Sequence, residues 1–278
     1  MTEAAHPVFA QAPIRGDISL SVGPCPVPYH IYDGHGVLIT GDGDAAALAP
    51  IFADQDVFPV LGAGGAAQLG LFVCQFTAAS LGPHLEAHLV ALASPTSGAR
   101  VAEDPYAMMA ALGTRPDWGL LSLHLWNDTD RVLAYNSEYL GLQAHRITGH
   151  VTLDRNAVQF DFATDTGPLL TGQLHRAARS DARAMWRFLR LMGLRKALQA
   201  GRQRQSESAV INRKCAVLPD NRRARTLCAP DRMVVQALRP DRDDITLHDP
   251  QLAPYCFAPK VMQHLSPFRF VYLHPDDG

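Results

Sequence analysis

Apolar and polar residues alternate with a period of two over several short stretches of the chain. HLEAHLVALAS (84–94) alternates in part, LLSLHLWND (120–128) reads the same way, and LGLFVCQFTA (69–78) is a largely apolar run between turn signals. A period of two places successive side chains on opposite faces of a strand, and a short apolar run between turns also fits a strand, so each stretch predicts one. GVLITGDGD (36–44) predicts a short strand ending in a turn. Residues 132–154 predict a strand, a bend and another strand, and 157–178 a hairpin about its Asp-Thr-Gly-Pro turn. Strand-like patterns return at 210–218, 226–238 and 243–248, and 257–278 predicts a short helix and a last strand. Helices are expected at DAAALAPIF, capped by Asp44, and at DPYAMMAALG, with Pro105 at its first position. A third, DARAMWRFLRLMGLRKALQAGRQRQ (181–205), has an apolar stripe and arginines at most other positions. It predicts a helix lying on the domain with a solvated basic face; a membrane-surface or partner helix is the other reading.

Many short strands with few helices predict a mainly β (α+β) fold: a closed or nearly closed antiparallel barrel with a few outer helices. Residues 1–35 are rich in Pro and Gly without a period and predict an irregular arm ahead of a single domain over 36–278.

Composition narrows the function classes. Hydrophobic residues make up 47% of 278, enough for a sizeable core, and the formal net charge of −2 disfavours non-specific phosphate binding. No nucleic-acid partner is therefore expected. No apolar run approaches the length of a spanning helix, and MTEAAHPVFAQAPIRGD lacks the pattern of a secretory signal, so a cytoplasmic protein without a membrane partner is expected. The five cysteines are scattered, with no CxxC pair to suggest a zinc ribbon. The basic residues are 22 Arg and only three Lys (Lys196, Lys214 and Lys260), which limits amine chemistry to those three side chains. No dinucleotide fingerprint, P-loop, nucleophile elbow or HExxH is present, and no cofactor is expected.

The strongest local constellation is HLEAH. In a strand, His84, Glu86 and His88 share one face. Glu86 could act as a general acid/base oriented by a histidine. The three could instead bind a metal with help from another strand, or serve only structure. Glu138 and His145 form a second group. His145 suits a proton shuttle because histidine titrates near neutrality, and the adjacent Arg146 is a candidate carboxylate anchor.

The order of segments resembles the acetoacetate decarboxylase-like superfamily. The resemblance rests on GVLITGDGDAAALAPIF (36–52), on LGLFVCQFTAASLGPHLEAHLVAL (69–92) with Glu86 at the family's glutamate, and on LHLWNDTDRVLAYNSEYLGLQAHRITGHVTL (123–153). In the last, Glu138 and Gly141 match the glutamate and glycine of the family's catalytic stretch. LHDPQLAPYCFAPKVMQHLSPFRFVYL (247–273) is similar to the closing segment. The resemblance implies the barrel fold, a small-molecule substrate and a homo-oligomer. It also exposes departures. The family's Schiff-base chemistry needs a lysine amine, yet its Pro-Lys-Lys positions read Gln143, Ala144 and His145, and no lysine precedes Lys196. Where the family carries an arginine near the end of the first strand, this sequence has Thr40. Lys214, in INRKCAVLP, is the alternative nucleophile if its strand turns it inward.

These readings predict a decarboxylase-like enzyme (a lyase) for a small oxo acid or related carbonyl compound, using acid/base chemistry without a Schiff base. The expected catalytic groups are Glu86, Glu138 and His145, with Arg146, His84 and Thr40 binding substrate. The alternatives are a non-catalytic binding or structural descendant of the fold, and a metal-dependent enzyme using His84, Glu86 and His88.

Overall fold

The computed structural model describes residues 6–193, 205–216 and 218–273. In chain order they form α1 (Pro7–Gln11), β1 (Gly16–Leu20), β2 (Gly23–Val27), β3 (Tyr29–Gly43), α2 (Ala45–Ala53), β4 (Phe58–Pro59), β5 (Ala67–Ala79), β6 (His84–Ser94), α3 (Ala107–Thr114), β7 (Gly119–Asn127) and α4 (Asp130–Ala134). There follow β8 (Ala144–Arg146), β9 (Thr148–Leu153), β10 (Ala157–Thr164), β11 (Gly167–His175), α5 (Ala182–Met192), β12 (Ser206–Ile211), β13 (Arg223–Cys228), β14 (Arg232–Ala237), β15 (Asp244–Leu247), β16 (Ala258–Ser266) and β17 (Phe270–Tyr272).

Seven of these strands close a barrel in the order β3, β5, β6, β7, β12, β13, β17 and back to β3. Every pair in the ring is antiparallel except β7 with β12, which run parallel. The expected closed barrel is present, antiparallel apart from that one seam. The chain between β7 and β12 is long, and it returns to the barrel only after building a second sheet, β15-β11-β10-β9.

That second sheet explains the most apolar strands. Phe160, Phe162, Leu170 and Leu174 pack with Leu69, Leu71, Val73, Leu85, Ala87 and Leu89 in one cluster. The outward faces of β5 and β6 are therefore covered, and every residue of β6 is buried. The HLEAHLVALAS pattern resolves accordingly: Leu85, Ala87, Leu89, Ala91 and Ala93 meet the outer sheet, and the alternate residues turn into the barrel. Gly172 sits opposite Phe160 in the β10–β11 register, and a Cβ there would fall inside the Phe160 ring. Gly172→Val is expected to cost about 1–3 kcal/mol by overpacking, read as a lowered urea midpoint.

Several local expectations change. Residues 6–35 are not irregular: α1 and the β1–β2 hairpin precede β3, which begins at Tyr29 and joins the barrel. The stretch after β7 is helical, α4 running into a π-helical turn at Tyr135–Tyr139, rather than a strand. Its apolar residues Val132 and Tyr135 are buried at helical spacing in the barrel's inner cluster. The closing segment holds the strands β16 and β17, with no helix between them. α5 packs on α3 and β14 through Ala184 and Phe188, and leaves Trp186 61% exposed. The expected helix beyond it, through 205, falls mostly outside the described residues, as does Lys196. Among the described residues no helix is long and apolar enough to cross a membrane.

Candidate active site

The barrel holds a cavity of about 180 Å³ that opens to the surface past Ser206, Glu207 and Met233. Leu38, Phe72, Phe76 and Leu120 supply apolar walls from the strands and Phe268 from the β16–β17 connection, while Met109 and Phe188 cover it from α3 and α5. Six ionisable groups line it: Glu86, His88, Cys74 and Tyr272 are buried, Cys228 is half-buried, and Glu207 stands exposed at the edge. No Lys or Arg lines it among the described residues.

Glu86 is 5% exposed. In the β6–β7 register it lies directly opposite Asn127, which ends β7. Asn127 Nδ2 donates to Glu86 Oε2 at 3.2 Å and to the Leu85 carbonyl at 3.3 Å. Burial pushes the Glu86 carboxyl up to about 7, against the pull of the Asn127 hydrogen bond. A carboxyl held near neutrality in a largely apolar pocket is suited to giving or taking a proton.

The flanking histidines do not act as compensating cations. His88 shares a 2.9 Å hydrogen bond between Nε2 and Ser122 Oγ, and burial, with His124 adding, drives its pKa down to about 3. His84 lies deeper, outside the cavity lining. Its Nδ1 donates to the Gly82 carbonyl at 3.0 Å, so Nε2 accepts from Tyr29 OH at 2.8 Å. Burial lowers its pKa as well. Both imidazoles are therefore neutral at physiological pH. His84 packs against Phe76 at 4.8 Å between ring centres and does not line the cavity. Among the described residues no group of three His, Cys, Asp or Glu side chains converges as a metal site, so His84, Glu86 and His88 do not form one.

The other expected residues stand elsewhere. Glu138 is exposed on the π-helical turn, where it accepts from the Ser21 amide at 2.9 Å and from the Ser21 hydroxyl. Those bonds hold its carboxyl below the usual range, and they pin the β1–β2 turn. His145 is exposed on β8 while its neighbour Ala144 packs toward the barrel's inner cluster. The alternation of a strand sends the two in opposite directions, so the inward side chain here is the methyl group of Ala144. Arg146 is turned to the Asp128 carbonyl and the Asp130 carboxylate. Thr40 is buried and lines a separate crevice of about 290 Å³ with Asp42, Gln68 and Glu103. Lys214 lies in a loop beyond β12 and pairs with Asp56 at 2.5 Å, rather than pointing into the barrel. Lys260 pairs with Asp42. Gly141, at the family's glycine, has φ +71°, and a Cβ there would collide with Leu218.

Two contributors escaped the sequence. Asn127 carries no motif, and only the strand register brings it to Glu86. Asn136, on the π-helical turn, donates from Nδ2 to Asn127 Oδ1 at 2.8 Å. Both are fully buried.

This barrel has known counterparts. An acetoacetate decarboxylase from Legionella pneumophila superposes with a TM-score of 0.58 over 92% of this chain and 88% of its own, at 10% identity. The chain has the acetoacetate decarboxylase-like fold. A second acetoacetate decarboxylase gives 0.53 at 12% identity over 88% of this chain and 86% of its own. The enduracididine biosynthesis enzyme MppR, complexed with pyruvate, gives 0.50 at 11% identity, covering 88% of each chain. No protein-family model matches the chain, and no curated protein matches it in sequence. At such identities the likeness fixes the acetoacetate decarboxylase-like barrel, and the chemistry has to be argued from the side chains inside it.

Proposed function

We propose that the chain is an enzyme that transfers a proton on an uncharged, largely apolar carbonyl compound held in the barrel, with Glu86 as the acid/base group and without a Schiff base. One observation carries this reading: a buried carboxyl stands on the wall of an apolar cavity with no cationic side chain beside it among the described residues. As carboxylate, Glu86 removes a proton α to the carbonyl; as carboxylic acid it returns one. Enolisation, dehydration and cyclisation all begin with such a transfer.

The substrate class departs from the expected small oxo acid. A substrate carboxylate would enter a largely apolar cavity that already holds Glu86 and offers no cation among the described residues, which is costly. Arg146, the expected anchor, is committed to Asp128 and Asp130.

The test is exchange of α-protons for deuterium in a panel of apolar ketones and 1,3-diketones, followed by NMR. The exchange rate should rise as pH passes through about 7, where Glu86 ionises. Equal exchange with folded Glu86→Gln protein would overturn the reading. Binding without exchange would instead support a carrier. Borohydride reduction in the presence of pyruvate or acetoacetate should leave no adduct, because the inward position on β8 is Ala144. A mass shift mapped to Lys214 or Lys196 would restore imine chemistry.

A further inference from the structure

The hydrogen bonds behind Glu86 run in one direction. Asn136 Nδ2 donates to Asn127 Oδ1, and Asn127 Nδ2 donates to Glu86 Oε2 and to the Leu85 carbonyl. A primary amide has two N–H donors and one carbonyl oxygen, and this arrangement uses all three sites of Asn127. Turning the Asn127 amide over would set its oxygen against the Leu85 carbonyl and Glu86 Oε2, and its NH₂ against the Asn136 NH₂. The first encounter is repulsive in a buried setting, so the Leu85 carbonyl holds the amide in this orientation. Asn136 does not hold it, because its Oδ1 has no partner and its amide can turn to match either face of Asn127.

We propose that Asn127 is a positioning residue: held by the Leu85 carbonyl, it keeps Glu86 Oε2 as an acceptor, so that Oε1 is the oxygen that carries the transferable proton. This rests on the reading of Glu86 as the acid/base group, and it adds which atom acts and what decides it. The consequence is geometric. A carboxylic acid free to place its proton on either oxygen offers a substrate a donor only part of the time. A carboxyl with one oxygen engaged by a fixed N–H presents one defined donor when protonated and one defined base when ionised.

No other group facing Glu86 competes for this role. On its own strand His88 is neutral and engaged with Ser122. From the adjoining strands Cys74, Tyr29 and Tyr272 face it, and burial raises the pKa of all three well above its ordinary value. Each is uncharged while Glu86 titrates. Asn127 is the one side chain that donates to the Glu86 carboxylate among the described residues.

The wild-type protein provides the first test. The two side-chain N–H resonances of Asn127 should be resolved, and one should shift with pH at the same midpoint as the ¹³C-labelled Glu86 carboxyl. That titration should vanish in Glu86→Gln. The near-isosteric Asn127→Asp exchanges the donor for a second carboxyl and should raise the Glu86 midpoint by a unit or more, a tenfold or greater gain in proton affinity. Asn136→Leu leaves the Leu85 carbonyl in place and should move the midpoint far less than Asn127→Asp does. The pH profile of α-proton exchange should follow the midpoint in each variant. An Asn127 amide that ignores Glu86 in the wild type, or a Glu86 midpoint unmoved in folded Asn127→Asp, would overturn the proposal. Because the titration is read without substrate, it stands or falls separately from the assigned activity, which Glu86→Gln turnover decides.

Discussion

Glu86→Gln is expected to lower turnover by roughly 100-fold or more, the usual scale for a general acid/base, while making the protein more stable at pH 8. The two effects share one cause. In the unfolded chain the carboxyl titrates near the ordinary value of 4.5, and in the fold near 7. A raised pKa means that folding favours the protonated form. The group's contribution to stability is complete below pH 4.5 and is lost as pH rises through about 7. At pH 8 the wild type holds a carboxylate in an apolar cavity, a burden on the order of 3 kcal/mol by linkage. Glutamine keeps the shape, accepts from Asn127 and carries no charge. Its urea midpoint should exceed that of wild type at pH 8 and converge with it at pH 4.5. A stabilised but inactive variant marks a site that trades stability for chemistry. A variant less stable than wild type at pH 8 would show that the carboxylate satisfies donors the glutamine cannot.

The opposite pH dependence is expected from the buried histidines. His88, His124 and His264 have folded pKa values lowered to about 3, 4 and 4, with burial the first cause in each. A lowered pKa means that the unfolded chain takes up protons first. Stability is therefore complete above pH 6.5 and falls as pH drops through 6.5 toward 4. His264 is the most exacting of the three. It is buried with both ring nitrogens unpartnered, and its environment is made more positive by Arg176 and Arg232. Each such histidine should cost on the order of 3 kcal/mol at pH 4. Because three histidines act against one Glu86, acidification from pH 6.5 to 4.5 should lower the urea midpoint overall. The slope should steepen in Glu86→Gln, which removes the opposing contribution. His264→Leu should be more stable than wild type at pH 5 and flatten the acid limb. A variant with an unchanged acid limb would remove His264 from the account.

Much of this was legible along the chain. Partial alternation in 84–94 pointed to a strand with His84, Glu86 and His88 on one face, because side-chain direction in a strand depends only on parity. Asp44 capping α2 and the turn between β10 and β11 were equally local. The shortage of lysine was plain in the sequence, and the inward position of Ala144 follows from the same parity once β8 is placed.

What the chain could not supply was the frame in which parity operates. Glu138 and His145 lie near Glu86 in any reading of segment order, yet α4 and its π-helical turn carry Glu138 out to Ser21, and the pairing of β8 with β7 turns His145 to the surface. The strand reading of 132–139 failed because the buried positions of that stretch recur at helical spacing against the barrel's inner cluster, a match that local alternation does not reveal. Asn127 shows the same limit from the other side. Asparagine at the end of a strand is unremarkable by itself. It becomes the partner of a carboxyl 41 residues away because the antiparallel register sets Glu86 opposite Asn127. The face that Glu86 shares was decided by a local period; which face is dry, and which amide meets the carboxyl, was decided only when seven strands closed a ring and the outer sheet covered β5 and β6. Burial and register are properties of that closed ring, and no stretch of sequence carries either alone.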